Sequence, residues 1–259
     1  MPRYAVLLAY DGTAFAGWWR QPDARTVGGV LDAAFARLGE PTAHALGASR
    51  TDAGVHAREQ VAHVDCARPW AADDLARALS SQLPPDVACR AVAAVVDDWH
   101  AVHLASGKTY RYRLDVGAVV DPFLAPRISW RPPFSQALAT LEAALQATAT
   151  PLIGAQDLRA FARRGEHRED LRTTLTAVAW YRRERFLIAR IRGDRFSYRI
   201  VRSLVGGMVA TATGTTSTAQ WRAALAGEVT PAAQQQAPAC GLCLEHVHYD
   251  TPPRWQFHR

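Results

Sequence analysis

The chain has 259 residues, of which 49% are hydrophobic and 21% charged, and its formal net charge is +6. This composition is typical of a folded globular protein and excludes a disordered or fibrous one. No apolar run approaches the roughly 18 residues that span a bilayer, and Asp11 interrupts the short apolar stretch near the N-terminus. The sequence therefore predicts a soluble, cytoplasmic protein without a membrane segment.

The basic residues are concentrated in the second half of the chain. Residues 1–107 carry nine arginines and twelve acidic residues, whereas residues 108–259 carry twenty-one basic and twelve acidic residues. Such an asymmetry is typical of a protein that binds a polyanion, most often a nucleic acid. Codon bias is an alternative explanation for the preference for arginine over lysine, but it does not explain the concentration in one half.

Hydrophobic periodicity in the first half predicts a compact run of strands and helices. Thr26 precedes one helical pattern as an N-cap, and Asp73 opens another. The predicted elements are a strand at 3–10, a helix at 26–38, strands at 44–48 and 60–65, a helix at 73–83 and a strand at 87–96.

The second half follows a similar order of elements, although no residue-level repeat is visible. The predicted elements are a strand at 108–116, a helix at 135–147, a hairpin of 174–182 with 185–192, helices at 196–213 and 218–226, and a strand at 242–249. The sequence therefore predicts an α+β fold of two similar domains, 1–107 and 108–259, with mixed or antiparallel sheets. A cleft between two such domains is a natural site for a ligand.

The stretch GASRTDAGVHA, residues 47–57, places one carboxylate and one guanidinium among small residues. One interpretation is a turn between two strands, with Asp52 as its cap, Gly54 at a positive φ and Arg50 as a surface charge. The other is a reactive site, because a nearby arginine favours an ionised aspartate, which can attack an electron-poor carbon or abstract a proton. Taken alone, the local sequence favours the turn.

The stretch KTYRYRL, residues 108–114, alternates aromatic and basic side chains. On a strand, Lys108, Tyr110 and Tyr112 share one face. Aromatic and basic groups together suit base stacking and phosphate contact. Core-facing tyrosines opposite solvated arginines explain the pattern equally well, so both interpretations stay open.

A third basic segment is FSYRIVRSLVGGM, residues 196–208. If it is helical, Arg195, Arg199 and Arg202 form one basic stripe. The alternative is a solvated helix face. Because few acidic residues stand nearby, the pattern favours contact with a nucleic acid.

The sequence offers no convincing metal or cofactor site. His56, His63 and Asp65 lack the spacing of zinc ligands, and Cys240 with Cys243 is half of a zinc or redox motif inside an apolar segment. No Walker-type or dinucleotide glycine pattern is present, so the sequence gives no support to nucleotide-triphosphate or NAD chemistry.

Taken together, the motifs resemble those of the TruA-type tRNA pseudouridine synthases, in the same order and over nearly the whole chain. The RTDAGVHA block is highly specific, whereas the others are weak individually. The motifs that carry the resemblance are Tyr10-Asp-Gly-Thr13, Phe15-Ala-Gly-Trp18, Gln21-Pro22, Thr26-Val27, Arg50–Ala57, Leu83-Pro84, His100-Ala101, Lys108–Tyr112, Val201-Arg202, Val205-Gly206 and Ala237–Leu242.

The resemblance implies a homodimeric enzyme that isomerises uridine to pseudouridine in the anticodon stem-loop of tRNA, at positions 38–40, with no metal or organic cofactor. It also implies that the two α+β domains, with their mixed or antiparallel sheets, form a basic cleft. It implies that Asp52 is the catalytic residue, as nucleophile or as base, and that Tyr110 stacks on the flipped-out target base. It further implies that Arg202 pairs with the catalytic carboxylate and that Arg50 belongs to the RNA-binding face.

Some positions depart from the family pattern. Gly-Trp-Gln is replaced by Gly17-Trp18-Trp19, and Val102 stands where an arginine is usual, which puts one RNA contact in question.

Two other classes of function compete with the enzyme. One is a tRNA-binding chaperone without catalysis, which the four site residues argue against. The other is a methyltransferase, which would need a cofactor loop that the sequence lacks.

Overall fold

The computed structural model describes residues 1–122, 124, 127–162 and 171–257. The chain divides into two compact units, the first made of Met1–Ser106 and the segment from Cys243 onward, the second of the described part of Gly107–Leu242. The sequence placed the C-terminal strand in the second domain. In the structure this strand belongs with the first unit, because Cys243 and Leu244 pair with His56 and Ala57.

The first unit begins with the predicted succession of strands and helices. Its elements are β1 (Arg3–Tyr10), α1 (Val27–Arg37), β2 (Leu46–Gly47), β3 (His56–Asp65), α2 (Ala72–Gln82) and β4 (Val87–Val95). The side chain of Thr26 accepts a hydrogen bond from the backbone N–H of Gly29, which confirms the predicted N-cap of α1.

The second unit has an antiparallel sheet and three α-helices in its described residues. Its elements are β5 (Ala105–Asp115), α3 (Leu138–Ala149), β6 (Gly154–Asp157), β7 (Arg172–Arg183), β8 (Phe186–Gly193), α4 (Ile200–Ala212) and α5 (Thr218–Leu225). The strand order is β5-β8-β7-β6, with every pair antiparallel. Two further strands, β9 (Leu242–Tyr249) and β10 (Gln256–Phe257), then return the chain to the first unit.

The sheet of the first unit has the order β10-β4-β1-β3-β9, and β2 pairs with β3. Strand β1 is antiparallel to both of its neighbours, whereas β9 runs parallel to β3. The apolar face of α1, with Val27, Leu31 and Phe35, is fully buried. Sheets with helices in both units confirm the predicted α+β class. None of the described helices is long and apolar enough to cross a membrane.

The predicted helix over 196–213 was wrong at its start. Helix α4 begins at Ile200, because Arg199 has a left-handed φ of 60° that a helix interior cannot accommodate. Arg195 and Arg199 therefore precede the helix, and the predicted stripe of three arginines does not form on it. The helix itself is buried at every position from Ser203 to Ala210, so it is not a solvated face either.

Candidate functional site

The segment between β2 and β3 presents alternate side chains to opposite sides. Ser49 and Thr51 are buried, whereas Arg50 is exposed and Asp52 is half-buried. In extended backbone, alternate residues point to opposite faces. Arg50 and Asp52 thus share the outward face of one loop in the first unit.

A tight turn follows Asp52. The backbone N–H of Val55 donates to the carbonyl of Asp52 at 3.1 Å, and Gly54 has a φ of 79°. A positive φ at the third position of a turn favours glycine, which confirms the turn predicted from the sequence. The turn and the reactive-site interpretations are therefore compatible, because the turn fixes the backbone that carries the carboxylate.

The buried amide of Gln60 holds the loop from the sheet side. Its Nε2 donates to the carbonyl of Ser49 at 2.6 Å, and its Oε1 accepts from the backbone N–H of Ser49 at 3.1 Å. The same Nε2 lies 3.3 Å from the hydroxyl of Tyr10, which is 2.8 Å from the hydroxyl of Thr51. These bonds satisfy the buried polar groups of the loop and restrain its conformation.

The segment from Gly12 to Trp18 holds the other side of the loop. The N–H of Trp18 donates to the carbonyl of Thr51 at 3.0 Å, and the N–H of Gly54 donates to the carbonyl of Phe15 at 3.2 Å. A Cβ on Gly12 would lie 2.1 Å from the carbonyl oxygen of Val55. The YDGT and FAGW motifs are thus explained by close backbone contact with the loop that carries Asp52.

The two histidines that the sequence analysis rejected as metal ligands accept backbone hydrogen bonds. The Nδ1 of His56 accepts from the N–H of Gly12 at 3.1 Å, and the Nδ1 of His63 accepts from that of Ala101 at 3.3 Å. Within the described ranges, no group of three or more His, Cys, Asp or Glu side chains is arranged to hold a metal ion. The four cysteines are free thiols.

In the second unit, strand β5 carries Tyr110 and Tyr112, and both are buried. Tyr112 is fixed within the unit, because its hydroxyl donates to the carbonyl of Pro238 at 2.7 Å and its ring leaves no room for a side chain at Gly241. Tyr110 keeps 7% of its surface exposed and packs edge-on against Phe196, with 5.2 Å between the ring centroids. The core interpretation is confirmed for Tyr112.

Arg202 lies in the first turn of α4 and is half-buried. Its Nε donates to the carbonyl of Ala237 at 2.8 Å, and the N–H of Ala237 donates to the carbonyl of Arg202 at 3.0 Å. One turn later, a Cβ on Gly206 would lie 2.8 Å from the backbone nitrogen of Ala237. The Val-Arg and Val-Gly motifs are thus explained by these contacts, which hold the start of α4 close to the backbone of Ala237.

The sequence predicted Asp52 and Arg50, which lie on one loop of the first unit, and Tyr110 and Arg202, which lie in the second. It missed Gln60. The available signal was a neutral polar residue directly before the apolar residues Val61 and Ala62 of β3. A carboxylate on a restrained loop can act as a nucleophile or as a base without a second acidic group.

Comparisons with known proteins point to one family. The profile of the family described as tRNA pseudouridine synthase matches residues 6–103 and 148–250. A curated protein from Picosynechococcus sp., named tRNA pseudouridine synthase A, is 36% identical to this chain, over 96% of this chain and 90% of the relative. The protein of the same name from Shouchella clausii is 37% identical, over 97% of this chain and 95% of the relative. The one from Streptococcus suis is 35% identical, over 96% of this chain and 100% of the relative.

Among solved structures, a crystal structure of a Cbf5-Nop10-Gar1 complex matches with a TM-score of 0.37 and 11% identity, over 80% of this chain and 44% of the matched chain. A similarity at that level supports no conclusion about this chain. The family profile covers most of the chain, and the curated relatives cover nearly all of it. The chain therefore belongs to the tRNA pseudouridine synthase family, a family of isomerases.

Proposed function

We propose that this chain isomerises uridine to pseudouridine in the anticodon stem-loop of tRNA, at positions 38–40, and that Asp52 is the residue that reacts. The observation that carries the proposal is the restrained loop. It presents one half-buried carboxylate and one exposed guanidinium on the same face, in a member of this family. An isomerisation adds and removes nothing, so it consumes no second substrate.

The target uridine must leave the base stack before its glycosidic bond is accessible. Asp52 then either attacks the substrate, forming a bond that breaks again before the product leaves, or removes a proton from the sugar and later returns it. The bond between C1′ and N1 breaks, the uracil rotates, and a bond between C1′ and C5 forms. The hydrogen of C5 leaves as a proton and N1 takes up a proton, so the reaction consumes no water.

The other site residues take the roles that the family resemblance implies. Tyr110 stacks on the displaced base, and its ring is already oriented by Phe196. Arg202 compensates the negative charge of Asp52, and Arg50 contacts the RNA. Base stacking on an aromatic side chain is worth about 1–3 kcal/mol.

The β7–β8 hairpin supports an RNA substrate. Arg183, Arg190 and Arg192 are exposed on it, and none of them forms an ion pair with a carboxylate in the described residues. Uncompensated guanidinium groups favour binding of phosphate. We further propose, from the family resemblance, that the protein is a cytoplasmic homodimer.

The direct test is the substitution Asp52→Asn, assayed by tritium release from tRNA that carries 5-tritiated uridine. We expect release by the wild type and loss of at least three orders of magnitude in kcat for the variant, with tRNA affinity within about threefold. The matched control is Asp98→Asn, which neutralises an exposed carboxylate of the same unit and retains full turnover. Full turnover by Asp52→Asn contradicts the proposal.

The same experiment separates the enzyme from the tRNA-binding chaperone. A chaperone binds tRNA with an affinity that falls as salt concentration rises, but it releases no tritium. Wild-type binding without release would favour that alternative.

A further inference from the structure

Trp19 is an aromatic side chain that the fold does not use. It is 46% exposed, whereas its neighbour Trp18 is completely buried. An indole that keeps nearly half of its surface in water contributes little to the core and offers an apolar plane to a ligand. The family pattern has glutamine at this position, so the indole is a feature of this chain.

The guanidinium of Arg50 lies over the indole of Trp19, with 4.3 Å between Cζ and the ring centroid. In the described part of the chain, Arg50 makes no hydrogen bond or ion pair. The nearby Arg20 differs, because it pairs with Asp32 and also donates to the carbonyl of Ala45 at 2.9 Å. The positive charge of Arg50 is therefore oriented by the indole but not neutralised.

A second arginine–tryptophan stack in the same unit shows how a structural pair is built. Arg68 lies 3.9 Å over Trp70, and both are tied to the buried carboxylate of Glu40. The Nε1 of Trp70 donates to that carboxylate at 3.1 Å. Among the residues that the structure describes, no carboxylate anchors Trp19 and Arg50 in this way, so the stack is available to a partner from outside the chain.

The stack is fixed with respect to the loop that carries Asp52. The N–H of Trp18 donates to the carbonyl of Thr51, and the carbonyl of Trp18 accepts from Gly28, both at 3.0 Å. Trp19 follows directly on one side of this contact, and Arg50 precedes it on the other. The backbone that carries the stack is therefore tied to the loop that carries Asp52.

We infer that Trp19 and Arg50 form a stacking subsite for one unpaired base of the substrate RNA, next to the reacting uridine. Unpaired bases of RNA stack on aromatic rings and on guanidinium planes, and a guanidinium without a carboxylate partner attracts the phosphate that accompanies the base. A nucleotide can contact both residues, because its planar base stacks on the indole of Trp19 and its phosphate pairs with the guanidinium of Arg50. The inference rests on the proposed function and adds Trp19 as a determinant of substrate affinity.

The test uses the full-length protein and one defined tRNA. Trp19→Gln restores the usual residue of the family pattern, Trp19→Phe keeps an aromatic plane, and Phe257→Gln is the matched control, since Phe257 is a 59% exposed aromatic of the same unit. KM and kcat come from tritium release, and Kd comes from filter binding of the anticodon stem-loop. We expect Trp19→Gln to raise KM and Kd about tenfold with kcat within twofold, and Trp19→Phe to raise them less.

The inference is overturned if Trp19→Gln binds and turns over the tRNA as the wild type does. It is also overturned if the variant loses kcat together with its thermal stability, because that result assigns Trp19 to folding. Failure of the proposed function gives a different result. In that case the wild type itself releases no tritium, while the comparison of Kd values between Trp19→Gln and Phe257→Gln still decides whether the stack binds RNA.

Discussion

Gln60 and Ser49 are joined by two hydrogen bonds, through which one buried amide holds both backbone groups of a residue in the loop that carries Asp52. Gln60 is completely buried in β3. An unsatisfied buried polar group costs about 1–3 kcal/mol. The pair therefore couples the stability of the sheet to the position of Asp52, three residues after Ser49.

Gln60→Met keeps the shape of the side chain and removes both hydrogen bonds. We expect the free energy of unfolding to fall by about 2 kcal/mol and kcat to fall by more than tenfold, because the loop loses its support. Urea denaturation and tritium release measure the two effects. The control Gln234→Met replaces an exposed glutamine and changes neither. A variant with normal kcat would show that the network is not needed for catalysis.

Gly17→Ala tests the other side of the loop. Gly17 has a φ of 100°, and a Cβ there would lie 2.7 Å from the carbonyl oxygen of Thr51. Gly39 is the matched control, because its φ is 83° but a Cβ meets no atom within 4 Å. Both substitutions strain the backbone by on the order of 1 kcal/mol.

We expect only Gly17→Ala to lower kcat, by at least tenfold, since only there must the loop move. Gly39→Ala destabilises the protein and leaves kcat unchanged. Equal kcat values for the two variants at a temperature where both are folded would contradict the coupling between Gly17 and the loop.

The two tyrosines of β5 should separate in function. Tyr112→Phe removes the hydrogen bond to Pro238, so we expect a loss of about 1 kcal/mol in the free energy of unfolding and a normal kcat. Tyr110→Ala removes the proposed stacking surface, so we expect tRNA binding to weaken by 1–3 kcal/mol and turnover to be lost. Tyr110→Phe keeps the ring and retains tRNA affinity. Unchanged kinetics for Tyr110→Ala would refute its role.

Local pattern was sufficient for the elements whose signals lie within a few residues. The strand Arg3–Tyr10, the cap at Thr26 and the turn at Gly54 follow from periodicity, a side-chain oxygen and a positive φ. Pairing at long range has no such signal. Nothing within Leu242–Tyr249 indicates that it lies parallel to β3, because the partner residues are more than 180 positions away.

The turn after Asp52 was predictable from one motif, whereas the catalytic role of Asp52 stays a prediction. Roles that depend on tertiary contacts were not predictable. Tyr110 and Tyr112 have the same spacing on the same face, and only the contacts of Tyr112 with Pro238 and Gly241 distinguish them. The start of α4 was also missed, because the left-handed φ of Arg199 depends on tertiary context rather than on the local sequence.

The stability of the first unit should depend on pH through His63. His63 is 3% exposed, and its ring lies 4.4 Å from that of His100. The pKa of His63 is lowered from 6.5 to about 4, mainly by burial and also by the charges of His100 and Arg3, while the nearby Asp65 acts in the opposite direction. Because the unfolded chain then binds the proton more tightly, the stability due to neutral His63 is complete above pH 6.5 and is lost as the pH falls towards 4.

We expect the free energy of unfolding, measured in urea between pH 7 and pH 4.5, to decrease by about 2 kcal/mol through this group. The carboxylates Glu40 and Asp65, whose pKa values are lowered in the folded protein, add to the loss only near the acidic end of this window. His63→Gln keeps an acceptor for the N–H of Ala101 and flattens the slope. The control His44→Gln, at a side chain that is 66% exposed, leaves the slope of the pH dependence unchanged. A slope that is the same in His63→Gln as in the wild type would assign the pH dependence to other groups, with His100, whose pKa burial also lowers, as the first to test.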